Sequence, residues 1–380
     1  MDNILKNIDS CTGCRACEQV CPVKCISIVQ DKEGFIYPSF DSEKCIHCGK
    51  CEKSCHMLRN FDATQARSGY FGRNEALLSK SSSGGAFSAL TEAFLKNEND
   101  KVCGAAFSDD FMYVRHEFAD KADYAKLRKS KYVFCDTGNS FSEVRRLLNE
   151  NLRVLFTGTP CQISALRSFL GKDYDNLLTM DFICHGTPSI LFYQEHLKAI
   201  SNGSEITNVD FRSKSFGWKE YCLKIDCKEK SYLKAIWEDF YLYNFMKSPI
   251  LRKCCSDCHY SDGYHQSDIT VGDYWQLNKH FPGTDDDKGM SLVIANTPKG
   301  KLYAESIQKE MNLKPLKESE FSYVYKKHNS DAYNLQKRKE FMQSYIENGY
   351  DALSKAWKKN NRIPIFKRKI KKFARSILRR

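Results

Sequence analysis

Cys11-Thr12-Gly13-Cys14-Arg15-Ala16-Cys17-Glu18-Gln19-Val20-Cys21-Pro22 and, 34 residues on, Cys45-Ile46-His47-Cys48-Gly49-Lys50-Cys51-Glu52-Lys53-Ser54-Cys55-His56 are two copies of one spacing, Cys-x2-Cys-x2-Cys-x3-Cys. Three cysteines at every third position wrap a loop of thiolates around one 4Fe-4S cluster, and the fourth is carried by the next turn to the other cluster. The spacing therefore assigns Cys11, Cys14, Cys17 and Cys55 to one cluster, and Cys45, Cys48, Cys51 and Cys21 to the second. Structural zinc also takes four thiolates, but usually as two separated Cys-x2-Cys pairs. Eight cysteines in duplicate favour clusters over zinc, and over disulfides still more.

Residues 1–60 thus resemble a bacterial dicluster ferredoxin. His56 stands where the second motif usually has proline, a departure expected to loosen the turn after Cys55 without removing a ligand. Between the motifs, Ile26-Ser27-Ile28-Val29 and Phe35-Ile36-Tyr37-Pro38 flank Asp31-Lys32-Glu33-Gly34, the pattern of a strand, a turn and a strand. Such a hairpin would keep the two cluster loops together. The polar run Asn60 to Ser68 reads as a linker, with a second domain beginning near Tyr70.

With 380 residues, 42% of them hydrophobic, the chain has room for two to three domains with real cores. The first residues lack the basic segment and apolar run of a secretory signal, and no stretch of about 18 apolar residues occurs. The expected location is the cytoplasm, where 18 cysteines stay reduced or bind metal. The net charge of +12 is concentrated: residues 362–380 hold nine Lys or Arg and no acid, which leaves +3 for the rest. Basic residues interleaved with aromatics on a folded face are not found, so nucleic acid is not an expected partner.

The body reads as mixed α/β. Ser81-Ser82-Ser83-Gly84-Gly85 runs into the helical pattern Ala86 to Leu95, a start whose hydroxyls and amides could cradle phosphate or could simply begin a helix. Val154-Leu155-Phe156 is a short buried strand, followed by Thr157-Gly158-Thr159-Pro160-Cys161 and a helix through Leu170. Leu177 to Ile183 is another strand, followed by Cys184-His185-Gly186-Thr187-Pro188 and a helix through Ile200. Two such units in succession place functional loops at strand ends. A further pair, Cys255-x2-Cys258, precedes Gly272-Asp273-Tyr274-Trp275. Spacing does not show that Cys161, Cys184, Cys255 and Cys258 meet; each also reads as a small buried hydrophobe, and Cys161 alone as an activated thiol at a helix start.

The ordered set Ser81 to Gly85, Ser130-Lys131-Tyr132, Phe156 to Gln162, Cys184-His185-Gly186, Phe211-Arg212-x-Lys214-x2-Gly217-Trp218, Cys255-x2-Cys258 and Gly272 to Trp275 resembles the beta-subunit family of deazaflavin-reducing (coenzyme factor 420) hydrogenases and related dehydrogenases, from about residue 68 to 310. The resemblance implies an FAD-binding iron–sulfur oxidoreductase, in which Cys161, Cys184, Cys255 and Cys258 hold a third 4Fe-4S cluster. Ser81, Ser82, Ser83, Gly84, Gly85, Thr157, Gly158 and Thr159 are then candidates for the flavin phosphates. Lys131, Arg212 and Lys214 are candidate cations for phosphate or the flavin ring, or else solvated surface charges. Asp273 and Trp275 read as a turn and a core aromatic, and Cys103, Cys135, Cys222, Cys227 and Cys254 as structural. Residues 68–150 and 151–345 then form the N- and C-terminal parts of this region, with 346–380 a basic tail.

Three functions stay open on the sequence: an enzyme passing electrons between its clusters and FAD and on to an acceptor, a non-catalytic relay docked on a separate catalytic protein, or a zinc-stabilised binding module with no visible iron–sulfur absorption. The partner is accordingly a redox protein or a small hydride donor or acceptor. In the tail, Phe366, Ile370, Phe373 and Ile377 recur at helical spacing among Lys and Arg. That pattern suits a helix lying on the anionic inner face of the membrane, and equally a solvated helix or one docked on the protein itself.

Overall fold

The computed structural model describes residues 5, 7–59, 67–261, 263, 265–325 and 334–378, with side chains omitted at 325 and from 364 onward. Most of the Asn60–Ser68 linker and the side chains of the tail's apolar stripe lie outside the described residues.

The N-terminal region is a pair of short helices, α1 (Ala16–Val20) and α2 (Lys50–Ser54), around an antiparallel hairpin, β1 (Ile26–Gln30) and β2 (Ile36–Phe40). Each helix starts from a left-handed residue, Arg15 or Gly49, which turns each cysteine loop sharply before its third cysteine. The hairpin turn docks on the body. Gly34, at φ +87°, lies so close to Ser189 and Leu191 that a Cβ would sit 2.6 Å from the Ser189 hydroxyl. Ser189 Oγ donates to the Glu33 carbonyl at 2.5 Å.

The body is built on strands β3 (Ser68–Gly72), β4 (Lys101–Phe107), β5 (Val114–Ala119), β6 (Cys135–Asp136), β7 (Val154–Gly158) and β8 (Leu177–Phe182). A small sheet follows, β9 (Ile206–Ser213), β10 (Cys222–Cys227) and β11 (Ser231–Ala235); then come β12 (Ile269–Asp273), β13 (Ser291–Ala295) and β14 (Lys314–Leu316). All but the small sheet join in one nine-stranded sheet of order β14-β3-β13-β12-β8-β7-β4-β5-β6. Strands from both parts of the 68–345 region therefore share a single sheet. At its centre β4, β7, β8 and β12 run parallel.

Helices α3 (Ala86–Phe94), α4 (Ser140–Asn149), α5 (Pro160–Leu170) and α6 (Ile190–Ser201) follow β3, β6, β7 and β8, respectively. The continuous apolar run of β7 is explained by cover on both faces. Leu155 packs with Leu90 and Phe94 of α3, whereas Val154 and Phe156 pack with Val144 of α4 and Leu166 of α5. Ala16 of α1 is part of this second cluster, so the N-terminal region is seated on α4 and α5. A third, aromatic cluster joins α6 to the small sheet, to α7 (Phe240–Met246) and to the long C-terminal helix Leu335–Leu378, which bends at Gly349.

Because β4, β7, β8 and β12 are parallel, their C-terminal ends lie along one edge of the sheet. The loops after Phe107, Gly158, Phe182 and Asp273 all open there, the place where parallel sheets bind ligands. No described helix is long and apolar enough to cross a membrane.

Candidate redox site

Among the described residues, cysteines line three cavities. Cys11, Cys14, Cys17 and Cys55 line one, together with Ile28, Pro38 and Met57. Cys21, Cys45, Cys48 and Cys51 line a second, with Cys25 as a fifth thiol. The Sγ atoms of Cys21 and Cys25 are 3.4 Å apart, and the Cys25 amide donates to Cys21 Sγ at 3.3 Å. Sequence reasoning passed over Cys25, whose signal was its place four residues after Cys21. The two sites differ in exposure. Burial pushes Cys14 up to about 12 and Cys17 higher still, whereas Cys48 is exposed.

The third cavity lies at the C-terminal edge of the large sheet. Its wall includes Cys161 at the start of α5, Cys184 in the loop after β8, and Cys254, Cys255 and Cys258 from the turn Lys253–Asp257 and the residue after it. The fold thus brings together cysteines up to 97 residues apart. Burial pushes Cys161 up to about 12 and Cys184 well above the thiol range. An activated thiol at Cys161 would need the opposite shift. Beside Cys254, the Cys255 thiol comes down to about 7 and also accepts from the Thr187 amide at 3.4 Å. Cys254, expected to be structural, is instead part of this lining, while Cys103, Cys222 and Cys227 are buried.

Among the described residues no three His, Cys, Asp or Glu side chains converge tightly enough for a single metal ion. Thiolates on one zinc ion stand about 3.8 Å apart, given Zn–S distances of about 2.3 Å in a tetrahedron. The cysteines instead stand around spaces, as ligands to the corners of an iron–sulfur cube must, so the donor sets fit clusters.

The first and third cavities share a wall: Thr12 and Met57 line both. His56 is buried here, with one ring nitrogen 2.6 Å from the Tyr260 hydroxyl and the other 3.0 Å from Thr12 Oγ1. Burial lowers its pKa to about 3, so the ring is neutral and serves as a hydrogen-bonding link. The expected loosening after Cys55 does not occur; His56 opens the tight turn His56–Leu58.

The residues considered for flavin separate into two groups. In the Ser81–Gly85 loop, Ser83 Oγ donates to Met290 O at 2.8 Å and the Gly84 amide to Ser291 Oγ at 3.0 Å. Lys214 Nζ clamps the loop from outside by donating to the carbonyls of Leu78, Ser83 and Lys288. Burial, with Arg212 nearby, brings Lys214 down to about 8. Arg212 donates to Asp273 at 2.8 Å and to Tyr132 Oη at 3.0 Å, so a carboxylate of the protein already balances its charge. Asp273 also accepts from the buried Trp218 indole at 2.9 Å; it is the hub of this corner, and Trp275 stacks on Trp218 with 43% of its surface exposed.

Thr157 Oγ1 donates to the Cys103 carbonyl, and Thr159 makes a capping box with Gln162 at the start of α5. The hydroxyls of this loop are therefore engaged within the fold. Two features remain suited to an anion. At the start of α3, Gly85 offers no side chain, and Ser291 Oγ takes the Gly84 amide and, at 3.5 Å, the Ala86 amide, which leaves the next amides of the first turn toward the sheet edge. Lys131, half-buried and lowered to about 8 by desolvation, has its ammonium on the Arg128 carbonyl and over the Phe107 ring, and the Ser130 amide ties this segment to Ser82 Oγ.

Residues 151–319 match the family model for the C-terminal part of the coenzyme F420 hydrogenase/dehydrogenase beta subunit, and residues 10–57 match that for a 4Fe-4S dicluster domain. No curated protein matches the chain. Among solved structures, a xenon derivative of the F420-reducing NiFe hydrogenase complex from Methanosarcina barkeri is similar over 78% of this chain and 93% of its own, at 15% identity and a TM-score of 0.43. The chain thus carries, over residues 151–319, a C-terminal domain of the coenzyme F420 hydrogenase/dehydrogenase beta-subunit family and, in front of it, a 4Fe-4S dicluster domain.

Proposed function

We propose that this chain is an iron–sulfur flavoprotein oxidoreductase that moves electrons between its clusters and FAD, and on to an acceptor held at the sheet edge. The observation that carries the reading is the order of the three cysteine-lined cavities. The second, with Cys48 exposed, is nearest solvent; the first is seated on α4 and α5; the third shares Thr12 and Met57 with the first. Clusters supply one-electron transfer, and a bound flavin supplies the exchange between single electrons and a hydride.

Cys11, Cys14, Cys17 and Cys55 would hold one cluster, and Cys45, Cys48, Cys51 and Cys21 another. A third would be held by Cys161, Cys184, Cys255 and Cys258. The fold contributes exclusion of water around the first and third sites and short, fixed connections between them. For FAD, the start of α3 and Lys131 are the best-suited phosphate contacts, with the Lys214 clamp fixing the Ser81–Gly85 loop. Asp273 orients Arg212 and Trp218, and the exposed Trp275 ring beside them offers a flat apolar surface to a planar acceptor.

Protein purified without oxygen is the test. Twelve irons with matching sulfide per chain, and FAD released by acid, are expected. Full iron without flavin, even after incubation with FAD, would leave only the relay reading; visible iron–sulfur absorption missing altogether would end both.

A further inference from the structure

Arg252 is the most unusual charge in the molecule. Its side chain is buried, with the residue 1% exposed, and among the described residues no Asp or Glu pairs with it. Nε donates to the Cys11 carbonyl at 2.6 Å and Nη2 to the Ile36 carbonyl at 2.7 Å, both in the N-terminal region. Nη1 has no hydrogen-bond partner and lies beside Gly13, whose Cβ, if present, would approach it to 3.1 Å. The Tyr37 ring covers the guanidinium at 4.3 Å. The same side chain lines the third cavity, and Cys254 and Cys255 are among the groups that face it.

A buried guanidinium without a counter-ion is costly unless something anionic faces it. Two carbonyls satisfy two of its nitrogens but do not balance its charge. The remaining N–H groups sit between the Cys11–Cys14 loop and the Cys254–Cys255 turn. A cluster held by four thiolates is anionic and becomes more so by one charge on reduction, so a fixed cation between two such sites favours the reduced state of both.

We propose that Arg252 is the electrostatic coupling residue between the first and third cysteine sites. It is a positioning residue that holds the Cys11 loop and raises the reduction potentials of the two clusters it separates. The inference rests on the cluster reading above. It gives the electron line a direction: the Cys21/Cys45/Cys48/Cys51 site lacks this cation and becomes the low-potential end, and electrons settle on the two inner sites.

The test is a redox titration followed by electron paramagnetic resonance on full-length protein, wild type against Arg252→Met and Arg252→Lys, with iron and sulfide measured on each sample. With iron complete, Arg252→Met is expected to move the two inner midpoints to lower potential and the outer one by less, while Arg252→Lys stays near wild type. Unmoved midpoints in Arg252→Met with full iron, or an equal shift of all three, would overturn the inference and leave the cluster reading intact. If Arg252→Met loses clusters, Arg252→Gln replaces it: inner midpoints lowered beyond those of Arg252→Lys support the coupling, and equal midpoints in the two overturn it. Wild-type protein with no iron would instead sink the cluster reading itself, before Arg252 is tested.

Discussion

Two short loops and their helices deliver the cysteines of residues 11–55 to their cavities, with no pair in a set more than 44 residues apart; the third cavity draws its cysteines from two strand ends and a distant turn. In the first region the ligand geometry is local, because the left-handed starts at Arg15 and Gly49 and the hairpin suffice to build it. In the second it is a product of the whole sheet: β7 and β8 must pair in register before Cys161 and Cys184 can face one another. The comparison teaches that one chain can carry cysteine-lined cavities with very different dependence on its fold.

The largest expected effect falls on the local site. Cys48→Ser should remove most of the outer cluster, about four irons, since a hard oxygen is a poor substitute for a soft thiolate. The remaining iron should be unaffected, because the inner sites do not use that loop. Unchanged iron and sulfide in this variant would defeat the assignment of the outer set.

The third site sharpens the contrast. Cys161, Cys184, Cys255 and Cys258 should act as a set: each change to serine costs the same increment of iron and spares the dicluster region. Cys254→Ser should keep all of it. Should Cys161→Ser alone abolish turnover with iron complete, the catalytic-thiol reading would replace the cluster at that site, and loss of iron in Cys254→Ser would redraw the ligand set.

Between the two regions the docking itself can be weakened. His56→Ala removes a link that joins Thr12 to Tyr260 and leaves the buried Tyr260 hydroxyl without its 2.6 Å partner. An unsatisfied buried group costs about 1–3 kcal/mol. Chemical denaturation of the metallated variant should show a loss of that size, and limited proteolysis of the folded protein should quicken. Identical cleavage rates in variant and wild type would mean that His56 does not hold the regions together.

How much was legible follows the same division. The dicluster spacing, the hairpin, the strands at 154 and 177 and the helices after them are periodic, local features, and the structure has them within a residue or two. What sequence could not show depends on residues far apart. His56 reads as a missing proline until Tyr260 is placed 204 residues later against it. Arg252 looks like any surface arginine beside Lys253, since nothing in Leu251-Arg252-Lys253 says which of the two cations is buried. Cys254 and Cys255 are adjacent, and only the cavity shows that both line it. Thr157 lies on a strand, and period-two alternation alone does not tell whether its hydroxyl meets a ligand or the Cys103 carbonyl of the neighbouring strand.

The smallest effect concerns the flavin corner and its pH dependence. Lys131 and Lys214 are each held near 8 by burial, well below the ordinary lysine value of 10.5. Below pH 8 both are charged in the folded protein; as pH rises through 8 they lose their protons, while the same lysines in unfolded chain keep theirs to about 10.4. The folded state therefore binds fewer protons between these limits, and its own stability rises with pH there. Attraction for a bound anion runs the other way, because the neutral amines no longer face its phosphates. FAD retention should accordingly weaken as pH is raised from 7 to 9, measured as released flavin fluorescence. Lys131→Met should flatten this profile and bind FAD more weakly at pH 7, since it removes the ammonium that faces the phosphate and leaves neither the Arg128 carbonyl nor the Phe107 ring able to take its place. Lys214→Met should act through the loop it clamps and lower affinity at every pH with the slope kept in part. A profile equally steep in Lys131→Met and wild type would remove Lys131 from the phosphate site and leave the start of α3 as its remaining support.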